Sequence, residues 1–346
     1  MFVSTTVLVV AIIILIALVF DFTNGFNDSA NAIATIVSTR VLTPKKAVAL
    51  AAFCNFAAAF GFGVAVASTI SKIIHLGYVE DELGTDIIPY IILGGLVSAI
   101  VWNVVTTQMG LPISASHALI GGIAGSGIAA AGLAAVKIET VGLVAAFIFI
   151  SPMIGMFCGM MFMIAILWLC QHQSQTKMDR YFRRLQILSA AAYSFGHGTN
   201  DAQKTMGIIA PLLFSIGYFD ASVDPSLLPI PVWVILSAHL AIALGTLAGG
   251  WRVIETMGQH ITRLRPVHGF AAETGGAMTI IGASLAGIPV STTHVITASI
   301  MGVGTTRRMS AVRWGVMRKI FWAWILTIPL SAAMGFIAFS VIRIFL

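Results

Sequence analysis

A chain of 346 residues that is 58% hydrophobic and only 9% charged lies far outside the soluble globular class, whose domains carry about 25% charged residues. At a mean hydropathy of +0.97 no soluble packing hides the apolar surface, which leaves an integral membrane protein with many spans. The net charge of +6 falls in short loops between apolar stretches, so it reports membrane topology and gives no reason to expect a nucleic-acid partner.

Backbone groups in lipid must be satisfied within a helix or a closed barrel. The apolar stretches are long and continuous, not alternating ten-residue segments, so the fold class is an all-α polytopic membrane protein. The first stretch, Phe2–Phe20, is uncharged. It lacks a basic leading region, and Asp21 and Phe22 suit no cleavage site, so it reads as a retained helix. It runs directly into "NGFNDSAN", residues 24–31. A carboxylate at bilayer depth costs at least about 2.5–3.5 kcal/mol, so Asp28 marks an ion path or site. With Asn27 and Asn31 it offers a carboxylate and amide carbonyls to a hard cation at a break in the first helix; uptake of a proton is the other chemistry open to it. Asp21, at the edge of the motif, reads as a cap or interface residue.

Loops are expected near 38–46, 71–86, 171–184, 217–228, 251–265 and 305–319. The first, third, fifth and sixth are basic, with Arg40, Lys45 and Lys46; Lys177, Arg180, Arg183 and Arg184; Arg252, Arg263 and Arg265; and Arg307, Arg308, Arg313, Arg318 and Lys319. The other two carry Glu80, Asp81, Glu82, Asp86, Asp220 and Asp224. The positive-inside rule puts the basic loops in the cytoplasm and the acidic loops and both termini outside. Cys54, Cys158 and Cys170 have unrelated spacings in apolar segments and read as small core residues.

The chain repeats itself. Gly-x-Asn-Asp occurs at 25–28 and 198–201, and Gly-x-Pro-x-Ser-x-x-His at 110–117 and 287–294. Two matches in the same order at nearly equal offsets mark a duplication: residues 1–170 and 185–346, joined by a cytoplasmic linker at 171–184. By the loop charges the first GFND segment passes inward and the second, GTND, outward, so the repeats are inverted, an arrangement typical of secondary transporters. The segment 267–304 begins and ends beside basic loops, and its arm after Pro289 is too short to span. It reads as a re-entrant hairpin turning at Gly287–Ser291, with a counterpart at Gly110–Ser114.

In the second half Asn200, Asp201 and Gln203 are the expected cation ligands, and Glu273 is either a further ion ligand or a partner for a buried donor. Ser114, Ala115, Ser116 and His117, and Ser291, Thr292, Thr293 and His294, each follow a proline where a helix plausibly starts. Free N–H groups, the positive dipole end and hydroxyls make such starts anion sites. Lys204, three residues after Asp201, shares its helix face and either neutralises it or contacts the substrate. His117 and His294 could titrate, but such histidines also serve as neutral packing residues.

At these residues the sequence resembles the PiT family of inorganic phosphate transporters. "GFNDSANAIAT" and "HGTNDAQKTMGII" are similar to the two copies of the family signature, and both Pro-x-Ser-x-x-His hairpins match, so the resemblance covers nearly the whole chain. Phe26 and Thr199 replace the usual Ala, Ser29 replaces Val, and Ala115-Ser116 stands where a Thr pair is common. The short linker is similar to that of prokaryotic members. The resemblance implies cation-coupled uptake of inorganic phosphate, commonly with Na⁺ or H⁺, in the cell membrane and as a homodimer. No cofactor and no enzymatic activity are expected, since no nucleophile or metal set is found. The alternatives are transport of sulfate or a metal-phosphate complex, and a passive anion channel.

Overall fold

The computed structural model describes residues 5–61, 63–220, 222–224, 227–259 and 261–346. The first residues of the Phe2–Phe20 stretch, and parts of the loops at 217–228 and 251–265, lie outside that set. The described residues form helices joined by turns and short loops, with one isolated antiparallel bridge, Ile74 with Val136. Four helical stretches are long and apolar enough to cross a membrane, Thr6–Ser38, Thr85–Gln108, Ile138–Leu169 and Trp314–Phe345.

The elements fall into two series of the same order. The first comprises α1 (Thr5–Ser38), the pair α2 (Pro44–Ala57) and α3 (Ala65–Ser71), a short α4 (Leu76–Leu83), the hairpin α5 (Ile88–Gln108) and α6 (Ala115–Ala131), and α7 (Ile138–Leu169). The second comprises α8 (Gln175–Ser215), the pair α9 (Val232–Ala248) and α10 (Trp251–Gln259), the hairpin α11 (Pro266–Leu285) and α12 (Thr292–Thr305), and α13 (Trp314–Ile342). The short pairs are bent by 84° and 74°. The last helices carry an internal proline at matching positions, Pro152 and Pro329.

Packing between the series is reciprocal. The short arm α6 lies on α13 and the short arm α12 on α7; α1 packs on α9 and α10, and α8 on α2 and α3. Small residues permit these approaches, as expected where lipid offers no hydrophobic drive and dispersion must hold helices together. Gly335 of α13 sits on the backbone of Gly122 in α6, and Gly155 of α7 on that of Val295 in α12. Large apolar side chains such as Met153, Phe157 and Ile337 are exposed on the outside, while the interior gathers Asn, Asp, Ser, Thr and His.

Both hairpin turns are built alike. The N–H groups of Gly110 and Leu111 donate to the carbonyls of Thr107 and Thr106, each at 3.0 Å; those of Gly287 and Ile288 donate to Ser284 and Ala283 at 3.1 and 2.9 Å. These paired bonds form a Schellman C-cap, which requires a left-handed residue. Gly110 and Gly287 supply it, each at φ 68°. A short extended proline segment follows, and Ser114 and Ser291 then cap α6 and α12 by accepting from the N–H of His117 and His294, both at 3.2 Å.

The structure departs from the sequence reading in several places, among them the expected loops at 71–86 and 305–319, which contain α4 and the start of α13. The GFND and GTND segments lie in unbroken helices, so the expected break in the first helix is absent. Residues 175–184 of the expected linker are the first turns of α8, because Ser174 caps that helix and the Lys/Arg-rich stretch has good helix formers. Part of the expected basic loop at 251–265 folds as α10.

A side chain cannot be added at Gly335 without moving the backbone of α6. Gly335→Val is expected to lower stability by about 1–3 kcal/mol, read as an earlier loss of the monodisperse peak in heated, detergent-solubilised protein.

Candidate functional site

The two GxND motifs face each other through the start of α12. Asp28 comes from α1 and Asp201 from α8, and both are buried. The Thr293 hydroxyl donates to Asp28 Oδ1 at 3.1 Å. The Thr292 hydroxyl lies 3.3 Å from Oδ2 of Asp28 and 3.3 Å from Oδ2 of Asp201. His197 Nε2 stands 3.3 Å from Asp201 Oδ2 and 3.8 Å from Asp28 Oδ2. Asp28, His197 and Asp201 offer ligand atoms within 4.8 Å of one another, close enough to hold one cation.

The local sequence explains this placement. His197, Asp201 and Lys204 follow at spacings of four and three, so one helix face carries all three. The buried Lys204 ammonium pairs with Asp201 Oδ1 and donates to the carbonyl of Val290 at 3.1 Å. In this structure its charge faces Asp201.

The asparagines share a pattern. Asn27 donates its amide N–H to the Thr107 hydroxyl, and Asn200 donates to Ser284 Oγ at 2.9 Å. Asn31 donates to Thr293 Oγ1 at 2.9 Å. Each spends its NH₂ on a hydroxyl, and the buried carbonyl oxygens of all three have no hydrogen-bond partner among the described residues. An unpartnered amide oxygen beside a carboxylate is the ligand type a hard cation takes. Thr107 and Ser284 occupy the same position in the two Schellman turns, so each turn fixes the asparagine facing it.

The hairpin tips meet at the same place. The His117 and His294 rings are 4.9 Å apart, edge to face, and His294 stacks on Trp324 at 3.9 Å. Trp324 in turn donates to the carbonyl of Pro112 at 3.0 Å. Ser114, Ala115 and Ser116 are buried at the start of α6, as are Ser291, Thr292 and Thr293 at the start of α12. The first N–H groups of such a start have no partner within the helix, so two sets of donors are presented to the centre.

Two expected ligands have other employment. Gln203 Oε1 accepts the N–H groups of Val66 and Ala67 at 2.8 and 3.2 Å, capping α3, and its amide nitrogen donates to Thr199. Both lone pairs of that oxygen are used. Glu273 accepts from Thr35, Gln186 and Ser189 and is hydrogen-bonded to none of the other candidate residues.

The sequence reading missed His197, Asn55, Tyr193, Thr107 and Ser284. Asn55 lies 3.0 Å from His197 Nδ1, and Tyr193 donates to the carbonyl of Thr292 at 2.9 Å. The i, i+4 spacing of His197 to Asp201 was the one available signal.

The model of the phosphate transporter family matches residues 24–335. The chain is 49% identical to "Probable low-affinity inorganic phosphate transporter" of Rhizobium meliloti (strain 1021), over 92% of each chain. It is 41% identical to the protein of the same description from Bacillus subtilis (strain 168), over 96% of each. A solved structure described as "The sodium-dependent phosphate transporter" superposes with a TM-score of 0.86 at 26% identity, covering 98% of this chain and 100% of that one.

Removing one partner of a buried pair strands the other charge. Lys204→Met is expected to destabilise the fold by about 3–5 kcal/mol. Adding Asp201→Asn should recover much of the loss, measured by thermal unfolding of both variants in detergent.

Proposed function

The chain belongs to the phosphate transporter family, and we propose that it carries inorganic phosphate inward by symport with a cation, sodium in the first instance, through alternating access. The observation that carries this reading is the meeting of Asp28 and Asp201 with the hydroxyls of Thr292 and Thr293. There a dry carboxylate pair and an anion-type donor set compete for the same atoms.

That competition suggests how the two solutes are coupled. With no cation the carboxylates engage the Thr292 and Thr293 hydroxyls themselves. A cation held by Asp28, Asp201 and the amide oxygens of Asn27, Asn31 and Asn200 would take over the carboxylate charge and release the hydroxyls. Phosphate would then bind the freed donors, with the N–H groups at the starts of α6 and α12 and the hydroxyls of Ser114, Ser116 and Ser291. The helix dipoles favour the anion there without adding fixed charge. Cation and phosphate thus strengthen each other's binding, and by linkage the effect is reciprocal.

The reciprocal packing of the two series is consistent with inverted repeats, in which one element of each half tilts to expose the centre to either side. On the loop charges, the C-terminal end of α1 would face the cytoplasm and both termini the outside. A cavity of about 760 Å³ at that end of α1 is lined by Arg40, Arg263 and Arg313, a suitable mouth for a departing anion. The chain would function as a homodimer in the cell membrane.

The test is phosphate uptake into proteoliposomes under an imposed sodium gradient, a proton gradient, or neither. Uptake that ignores both gradients would show a passive channel, and inhibition by excess sulfate would show the wrong anion. Asp28→Asn is expected to abolish gradient-driven uptake while leaving folded protein in the membrane; normal transport by that variant would remove Asp28 from the site.

A further inference from the structure

Two turns before Asp28 on α1 lies a second buried carboxylate. Asp21 is 0% exposed, and neither of its oxygens has a hydrogen-bond partner among the described residues. Asn24, one turn further along α1, and Thr205 of α8 stand beside that carboxylate. Both side-chain atoms of Asn24 and the hydroxyl of Thr205 are buried and unpartnered as well. On the neighbouring helix α5, Asn103 is in the same state, one turn before the Thr107 that holds Asn27.

Buried polar groups in folded proteins are nearly always satisfied, and in a membrane interior the cost of leaving them bare is several kcal/mol each. A dry carboxylate is costlier still unless a positive charge accompanies it. The nearest fixed cation is Lys204, whose ammonium is already committed to Asp201 and the carbonyl of Val290. Asp21 therefore lacks a counter-charge from the protein. Beside it stand the Asn24 amide and the Thr205 hydroxyl, whose oxygens together with the carboxylate are the ligand types of a hard monovalent cation.

We propose that Asp21, the Asn24 carbonyl and the Thr205 hydroxyl form a sodium site separate from the Asp28–Asp201 centre. Thr205 is one turn from Asp201 on α8, so an ion here acts on the central cluster through that helix and through the field of its charge. The site rests on the sodium-coupled reading of the chain. It adds one ion to the number carried per phosphate and does not touch the phosphate itself.

The test uses the full chain in proteoliposomes, with radiolabelled phosphate uptake measured against sodium concentration and the sodium-to-phosphate ratio taken from reversal potentials. Uptake by the unaltered chain under a sodium gradient comes first; if it fails, the coupling reading falls before any variant is examined. Given that drive, Asp21→Asn, which removes the charge at constant shape, should still take up phosphate with one fewer sodium ion per turnover. Thr205→Val keeps the carboxylate and should raise the sodium half-saturation by about tenfold or more; it also reports on the site should Asp21→Asn not fold. An unchanged ratio and an unchanged half-saturation in these variants would overturn the site. So would an unchanged sodium ratio together with a lost response to a proton gradient, which would assign Asp21 to a proton instead.

Discussion

The architecture depends on keeping two carboxylates, Asp28 and Asp201, away from water. Lipid offers no hydration and little dielectric relief, so every compensating group must come from the chain. Those groups come from the second series, Thr292 and Thr293 from its hairpin and His197 and Lys204 from α8, and they serve a carboxylate of each series, while Asn31 of α1 holds the threonine hydroxyls. The halves are thereby bound to each other at the functional centre, and the reciprocal packing of α6 on α13 and of α12 on α7 surrounds that centre with covered surfaces.

The hairpins follow from the same requirement. A helix that crosses the bilayer presents its unpaired N–H groups to water on one side. A helix of fourteen or seventeen residues, such as α12 or α6, starts inside instead. Its first turn then faces the dry interior, where a partly charged N–H set is worth most. The Schellman glycines, the proline segment and the serine cap bring the chain to that depth with backbone groups largely satisfied.

Much of this was legible before any coordinates. The duplicated Gly-x-Asn-Asp and Pro-x-Ser-x-x-His strings marked both hairpin turns and the capping serines, because those features are written in local spacing. Other features are not local. A break in the first helix is expected at Asn27 and Asn31, yet their side chains find hydroxyls on other helices and α1 runs on unbroken. The start of α8 was read as a loop because a charge count detects polarity, while Lys177–Arg184 is a solvated helix face. Gln203 resembled a ligand by repeat position, but the N-terminus of α3, far away in sequence, claims its oxygen. Asn55, Tyr193 and Thr107 are lone polar residues whose partners appear only when the fold brings them together.

The repeat is symmetric in backbone and unequal in charge, and the inequality is informative. Where the second half has Lys204, the first has Asn31; where α12 begins Thr292-Thr293, α6 begins Ala115-Ser116. Asp201 consequently owns a permanent counter-ion and Asp28 does not. Two lysines would neutralise both carboxylates from within and leave a coupling ion nothing to do. Two asparagines would leave two bare charges side by side, each needing its own ion before the hairpins could close. With one lysine the scaffold is held together at Asp201, while Asp28 has no fixed cation of its own and shares only the His197 imidazole, 3.8 Å away. Under the proposed coupling that deficit, one charge on one side of a nearly two-fold centre, is what a transported cation fills.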